Sequence, residues 1–523
     1  MSFDSLLYSR WGNLVWPCLG IVVACLVSAS ATAEPATKPM SLGINLAGVV
    51  DHSTEMPFND LFTQARLWIP QAEGKPWGQG PPLELGPDGN VLRLIPGQFA
   101  TTVMCSKAGH PAGRYVCLYD GEGTIEFGGC VNGTREKPGR IDVQLNEGDG
   151  LFLNLMRTNP QNPVRNIRIY MPGTRSDYQT QPFRAPFLRR TGKFDFIRFM
   201  DWMKTNNSTI ETWQDRPLST DATQSDRGVS LEYMIKLCNT LKCDPWFCMP
   251  HRADDNYVRE FAMQVRQELS PDLQIYIEYS NEVWNGIFEQ AKYARDRGNE
   301  LQLGSSDYES QLRFASLRAV QVFQIWEDVF ASTDCLVRVL GSQSVNPWVS
   351  EQVASFRNAY KHADAIAIAP YFGNSFGSPD EAGRTAELSA AELIDRCHEE
   401  VLASRKMIQR TAAVAAKYGL ELLAYEGGQH LVGHGGAENN EQLTRLFHEA
   451  NRHADMESLY VRHFETWKAA GGRSYAVFSS VSRPSKWGSW GLLECETDSM
   501  KDSPKWRAIS RFQQQNSNQA ERE

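Results

Sequence analysis

The stretch Gln274-Ile-Tyr-Ile-Glu-Tyr-Ser-Asn281-Glu282-Val-Trp284 decides how this chain folds, and Leu422-Leu-Ala-Tyr425-Glu426-Gly-Gly428 is its counterpart further along. Each is a short apolar run that ends on a glutamate. Runs of the same kind fall at 41–46, 195–200, 245–250, 274–281, 336–341, 365–370, 421–426 and 474–479. Segments of helical periodicity lie between them. Residues 254–269 put Val258, Phe261, Ala262, Val265 and Leu269 on one stripe. Ser389-Ala-Ala-Glu392 reads as a capping box that opens a long helix, and Gly419 is placed to close it. Strands alternating with helices predict a parallel sheet. Eight of them is the number that closes a (β/α)8 barrel, a TIM barrel of the α/β class.

The spacing is irregular in one place. The first run ends at residue 46 and the second begins at 195, far more chain than a βα unit needs. The excess has its own pattern. Val91-Leu-Arg-Leu-Ile95, Phe99-Ala-Thr-Thr-Val-Met104, Arg114-Tyr-Val-Cys-Leu-Tyr119, Arg140-Ile-Asp-Val-Gln-Leu145 and Ile167-Arg-Ile-Tyr-Met171 are short alternating runs split by Gly, Pro, Asp and Asn. That is the pattern of an antiparallel β-sandwich. The expected organisation is a signal peptide over 1–33, the start of the barrel over 34–75, an inserted sandwich over 76–173, the rest of the barrel over 174–512, and a frayed polar tail over 513–523. The insert is expected to bind carbohydrate or to wall the cleft.

The N-terminus carries the export expectation. Residues 14–27 are mostly apolar, and Ala31-Thr32-Ala33 offers small residues for cleavage, leaving Glu34 first. An uncleaved anchor and lipidation at Cys25 are the alternatives. An exported chain permits disulfides among its cysteines, of which Cys105, Cys117 and Cys130 lie close together and Cys238 and Cys243 flank a short turn. Cys248, within an apolar run, is expected to be a core thiol. A net charge of −9 argues against nucleic acid or an anionic membrane as partner. No later segment is long and apolar enough to span a bilayer. Composition that is 41% hydrophobic supports a large buried core, and the 14 Trp and 17 Tyr, beyond packing, suit the stacking of sugar rings.

Barrel enzymes carry their chemistry at the C-terminal ends of the strands. There the fourth strand offers Glu282 and the seventh offers Glu426, roughly opposite each other. Two such carboxylates suffice for glycoside hydrolysis, one giving a proton to the leaving oxygen and the other attacking the anomeric carbon. Asn281-Glu282 ending strand four, with Glu278 three residues before Asn281 and Glu426 ending strand seven, resembles the clan-A retaining glycoside hydrolases, the superfamily of cellulases, mannanases and β-galactosidases. The resemblance covers the barrel and not the insert. It implies Glu282 as acid/base, Glu426 as nucleophile, and Asn281 as a donor to the sugar 2-hydroxyl. It also implies that His251, after strand three, lines a sugar subsite and that Tyr371, after strand six, hydrogen-bonds the nucleophile. Arg198, on strand two, can serve the same carboxylate or pair with Glu278 or Asp201. Trp487 and Trp490 are expected as stacking walls, Asp201 and Trp202 at the cleft rim, and His430 as a cleft-lining residue. Where many members place a Trp at the end of strand eight, this chain has Phe478-Ser479-Ser480. The ionised Glu426 is expected to raise the Glu282 pKa.

No cofactor or metal is expected. His448-Glu449 with His453 has i, i+5 spacing, whereas the zinc helix needs i, i+4 on one face. The same barrel could instead belong to a carbohydrate-binding protein without activity, or to a transglycosylase. Sequence leaves both open, together with the identity of the glycan.

Overall fold

The computed structural model describes residues 40–520, apart from 107–109, 147, 149 and 175–179. The expected signal peptide, its cleavage site and Cys25 lie outside the described residues. Eight parallel strands form a closed barrel in chain order: Leu42–Asn45, Phe196–Arg198, Asp244–Met249, Ile275–Tyr279, Leu336–Gly341, Ala365–Ile368, Glu421–Ala424 and Gly472–Phe478. The first pairs with the eighth through Leu42–Tyr475 to Asn45–Phe478, which closes the ring. All eight sequence runs are strands, with ends that differ from the runs by no more than two residues, and the helices between them bury their apolar stripes on the barrel wall. The helix Asp255–Glu268 buries Val258, Phe261, Ala262 and Val265, and the box at Ser389 caps the helix Ala390–Lys417.

One side of the barrel interior is filled by aromatic rings from strands two, three and four. Trp246 stacks on Tyr276 with centroids 5.0 Å apart, and Phe196 on Tyr276 at 5.3 Å. Small residues opposite them (Ala365, Ala367, Ala476) complete the layer. Gly43 is required here, because a Cβ at that position would lie 2.2 Å from the Phe196 ring. A packed interior of this kind is a plug and not a pore, so the chemistry is confined to the mouth.

The excess chain between strands one and two forms two four-stranded antiparallel sheets. One runs Ile69–Ala72, Gln98–Cys105, Leu151–Thr158, Gly123–Gly129; the other runs Arg165–Tyr170, Gly113–Asp120, Arg140–Leu145, Val131–Lys137. Leu153, Leu155 and Ala100 of the first share one buried cluster with Tyr115, Ile141 and Val143 of the second, so the sheets pack face to face. This sandwich starts earlier than position 76. Ile69-Pro-Gln-Ala72 is its first strand, disguised in the sequence by Pro70, which an edge strand tolerates.

Residues 513–520 are helical and not frayed, a correction to the sequence reading. The helix Pro504–Ala520 is held by Trp506 against Phe194 (5.9 Å) and Phe512 against Phe464 (5.2 Å), and Asn516 Nδ2 donates to the Met40 carbonyl. The nine cysteines among the described residues are free thiols, and Cys248 is buried as expected. No helix among the described residues is long and apolar enough to cross a membrane.

Candidate active site

A cavity of about 570 Å3 opens at the C-terminal mouth of the barrel, within the size range of ligand pockets. Glu282 and Glu426 both line it, with Asn281, Tyr371, His430 and Trp490. Glu282 follows the strand Ile275–Tyr279 and adopts φ +42°, a left-handed conformation that costs a non-glycine residue on the order of 1 kcal/mol and turns its side chain out of the strand path. Its carboxylate accepts from Asn285 Nδ2 at 2.8 Å and from the Tyr425 hydroxyl at 3.2 Å. The Trp284 indole N–H donates in turn to the Tyr425 oxygen at 3.3 Å, so Glu282 sits at the end of a short relay.

Glu426 is held from below by Arg198, which is 0% exposed. This guanidinium serves several partners at once. It donates to both oxygens of Glu278 (2.9 and 3.1 Å), to Asn45 Oδ1 (3.2 Å), to Asn281 Oδ1 (2.8 Å) and to Glu426 (3.4 Å). It also lies 4.9 Å from the centroid of the Tyr425 ring. The Trp246 indole gives Glu278 a further bond at 2.8 Å. Arg198 thus pairs with Glu278 and reaches Glu426, and makes no ion pair with Asp201 among the described residues. Asn281, whose Oδ1 is engaged by Arg198, donates its Nδ2 to Asn206 at 2.9 Å, which fixes the amide plane beside the cavity.

Both carboxyls are driven toward protonation. Burial pushes Glu426 up to about 8, and the charge of Glu282 adds to the rise against the opposing pull of Arg198. Glu282 is also raised, and burial leads, not the charge of Glu426 as the sequence suggested. The Asn285 and Tyr425 hydrogen bonds and the Arg198 charge pull it back, and Glu278 adds to the rise. Two carboxyls in this field titrate as a pair.

Above them stands an aromatic wall. Trp490 packs edge-on to Tyr371 (5.8 Å), His430 (5.0 Å) and Phe478 (5.7 Å). Trp490, twelve residues past Phe478, folds back beside it at the end of strand eight. Burial depresses His430 to about 4, leaving the imidazole neutral. The Tyr371 hydroxyl, raised well above its ordinary value by burial and by both glutamates, makes no hydrogen bond to Glu426 among the described residues.

Four sequence-derived site residues lie elsewhere. Trp202 is fully buried behind the barrel wall, stacked with Phe187 (6.1 Å) and Phe58 (5.8 Å), its N–H on the Ala47 carbonyl. The apolar pull of that cluster draws it away from the rim. His251 is buried under Tyr293 (5.4 Å), and its carbonyl accepts the Tyr279 hydroxyl, so it does not reach the cavity. Trp487 is 62% exposed, with Lys486 over its ring, and does not line the cavity either. Asp201, half-buried, is raised to about 6 by desolvation and is not among the cavity residues. The sequence reading missed Asn206 and Asn285. Asn285, three residues after Glu282, carried the signal of proximity; Asn206, in a turn after strand two, carried none.

No protein-family model matches the sequence, and no curated protein does. Among solved structures, the chain is similar to an arabinofuranosidase of glycoside hydrolase family 51 from Xanthomonas axonopodis pv. citri, at 14% identity and a TM-score of 0.38, over 59% of this chain and 62% of that one. It is similar to a 4-O-alpha-L-rhamnosyl-beta-D-glucuronidase from Fusarium oxysporum, at 12% identity and a TM-score of 0.40, over 62% of this chain and 63% of that one. A family 5 broad-specificity endoglucanase from Clostridium acetobutylicum matches at 9% identity and a TM-score of 0.35, over 65% of this chain and 93% of that one. The chain thus spans less than two thirds of the first two proteins' length. The fold is carried by the closed ring of strands itself, and any chemistry by the side chains at its mouth.

Proposed function

We propose that this chain is a glycoside hydrolase that cleaves O-glycosidic bonds of a poly- or oligosaccharide by retaining double displacement, with Glu282 as acid/base and Glu426 as nucleophile. The observation that carries the reading is that the buried Glu426 and the half-buried Glu282, which follow barrel strands seven and four, line one cavity at the mouth.

In the first step Glu282 gives its proton to the glycosidic oxygen while the Glu426 carboxylate attacks the anomeric carbon. The carbon–oxygen bond to the leaving sugar breaks and a glycosyl ester to Glu426 forms. In the second step Glu282, now ionised, takes a proton from water, whose oxygen attacks the same carbon and releases Glu426. Arg198 stabilises the Glu426 carboxylate between turnovers. Asn281, Tyr371, His430 and Trp490 would contact the sugar. Export of the enzyme, expected from the apolar run at 14–27, is part of the proposal.

The roles are tested by chemical rescue. Azide added to Glu426→Gly should give a glycosyl azide of inverted configuration, and added to Glu282→Gly one of retained configuration, each read by proton NMR. The reverse assignment of products would exchange the roles, and full activity of both Gln variants on every substrate cleaved by the wild type would end the proposal.

A further inference from the structure

A second cavity, of about 330 Å3, opens where the sandwich meets the barrel. One wall is Phe62 and Trp68, just before the first sandwich strand. The second is the turn around Asp88, between the strands Glu84–Leu85 and Val91–Arg93. The third is the stretch from Pro217 to Arg227, in the loop after barrel strand two. The walls are stitched together. Ala222 N donates to the Asp88 carbonyl (2.9 Å), Gln224 N to the Thr63 carbonyl (2.7 Å), and the Thr223 and Ser225 hydroxyls both to the Ala65 carbonyl (2.5 Å each). The crevice is therefore preformed, as ligand sites generally are.

Its chemistry is mixed. Trp68 is half-buried, backed by Phe62 at 6.1 Å, and Leu67 and Leu85 stand exposed at the lip. Asp221 and Asp226 flank Arg227, at 3.2 and 3.9 Å. An aromatic face takes the C–H side of a pyranose, and carboxylate and guanidinium groups beside it accept from and donate to vicinal hydroxyls. Asp88, Asp221 and Asp226 outnumber Arg66 and Arg227, and Arg66 is already paired with Asp51 at 2.5 Å. The excess of negative charge disfavours a uronic-acid polymer. One loop serves both cavities: it places Asn206 at the carboxylate pair and Arg227 at the crevice.

We propose that this crevice is a second, non-catalytic glycan site that takes a segment of uncharged polysaccharide, with Trp68 as platform and Asp226 and Arg227 as hydroxyl partners. It rests on the reading of the chain as a glycan-cleaving enzyme and gives the insert a role in holding polymer near the barrel mouth.

Affinity electrophoresis tests it, in gels containing galactomannan, hydroxyethylcellulose, arabinoxylan or polygalacturonate. Glu426→Gln is the parent protein, so that the gels stay intact. At least one neutral gel should retard the parent, and Trp68→Ala should weaken that retardation between about twofold and tenfold, the worth of one aromatic stacking contact. Asp226→Ala, whose side chain is exposed, is the second variant and decides the matter alone if Trp68→Ala unfolds. In the enzyme with Glu426 restored, both changes should raise KM for the retarding polymer far more than for a short aryl glycoside. The inference is overturned if every folded variant migrates like the parent, if polygalacturonate retards more than the neutral gels, or if no gel retards a protein whose wild type cleaves aryl glycosides. A wild type that cleaves nothing, but whose retardation depends on Trp68, would remove the proposed function and leave the crevice standing.

Discussion

Two regions of this molecule hold nearly the same ingredients. At the barrel mouth, Glu278 and Glu426 accept from the buried Arg198, and Glu282 lies within reach of its charge. Beside strands one and eight, Glu55 and Glu496 gather around Arg190, at 3.8 Å from each, with Arg184 also on Glu496. Burial pushes Glu55 up to about 7, as it pushes Glu426. The difference is access. Glu55 is 1% exposed and is roofed by Ser480, whose hydroxyl donates to it at 2.6 Å; it does not line the mouth cavity. Perturbed titration alone therefore does not mark a catalytic group. A cavity beside the perturbed group does.

The largest expected effect separates the two clusters by function. Glu282→Gln and Glu426→Gln should each lower kcat/KM by about a hundredfold to ten-thousandfold, while Glu55→Gln leaves it near the wild-type value. Steady-state kinetics on a substrate of the wild type reads this, and an equal loss in Glu55→Gln would erase the distinction drawn here. Next is stability. Arg190→Ala leaves two buried carboxylates without that cation and should cost about 3–5 kcal/mol in urea unfolding. A loss below about 1 kcal/mol would mean that Arg184 alone carries the cluster.

The third contrast is pH. Glu55 has its ordinary value near 4.5 in the unfolded chain and about 7 when folded, so the folded state holds the extra proton between these values. Its contribution is complete below about 4.5 and is lost as pH rises through about 7. Glu55→Gln should flatten that decline in denaturant titrations at several pH values. At the mouth, Glu426, one of an interacting pair, is raised to about 8, so the pair's last proton is expected to leave near that pH and the alkaline limb of kcat/KM should fall there. An alkaline limb near 5 would contradict the burial of the pair. The smallest contrast is between two tryptophans. Trp490→Ala should raise KM, whereas Trp487→Ala, at a surface position, should change stability by no more than about 0.5 kcal/mol and kinetics very little.

Much of this was legible in one dimension. Every barrel strand was, because an apolar run of strand length bounded by turns is a local signal. The two glutamates were legible because they terminate such runs, and in a barrel the end of a strand is a place. The first sandwich strand was hidden by Pro70, whose tolerance depends on being at a sheet edge, which is a fact about neighbours. Helical order over 513–520 was hidden because those residues are polar, and what holds them is the docking of Trp506 and Phe512 upstream.

The sequence by itself determined the order of strands and helices, the sandwich between strands one and two, and the placement of Glu282 and Glu426 at strand ends, since all of these follow from residue spacing along the chain. Only the tertiary structure decided which side chains beyond the strand ends face the cavity. Trp202, two residues past Met200, turns into an aromatic cluster, and Trp490, twelve residues past Phe478, returns to the mouth. Loops carry no periodicity, so the direction of their side chains is set by whichever distant surface buries them best.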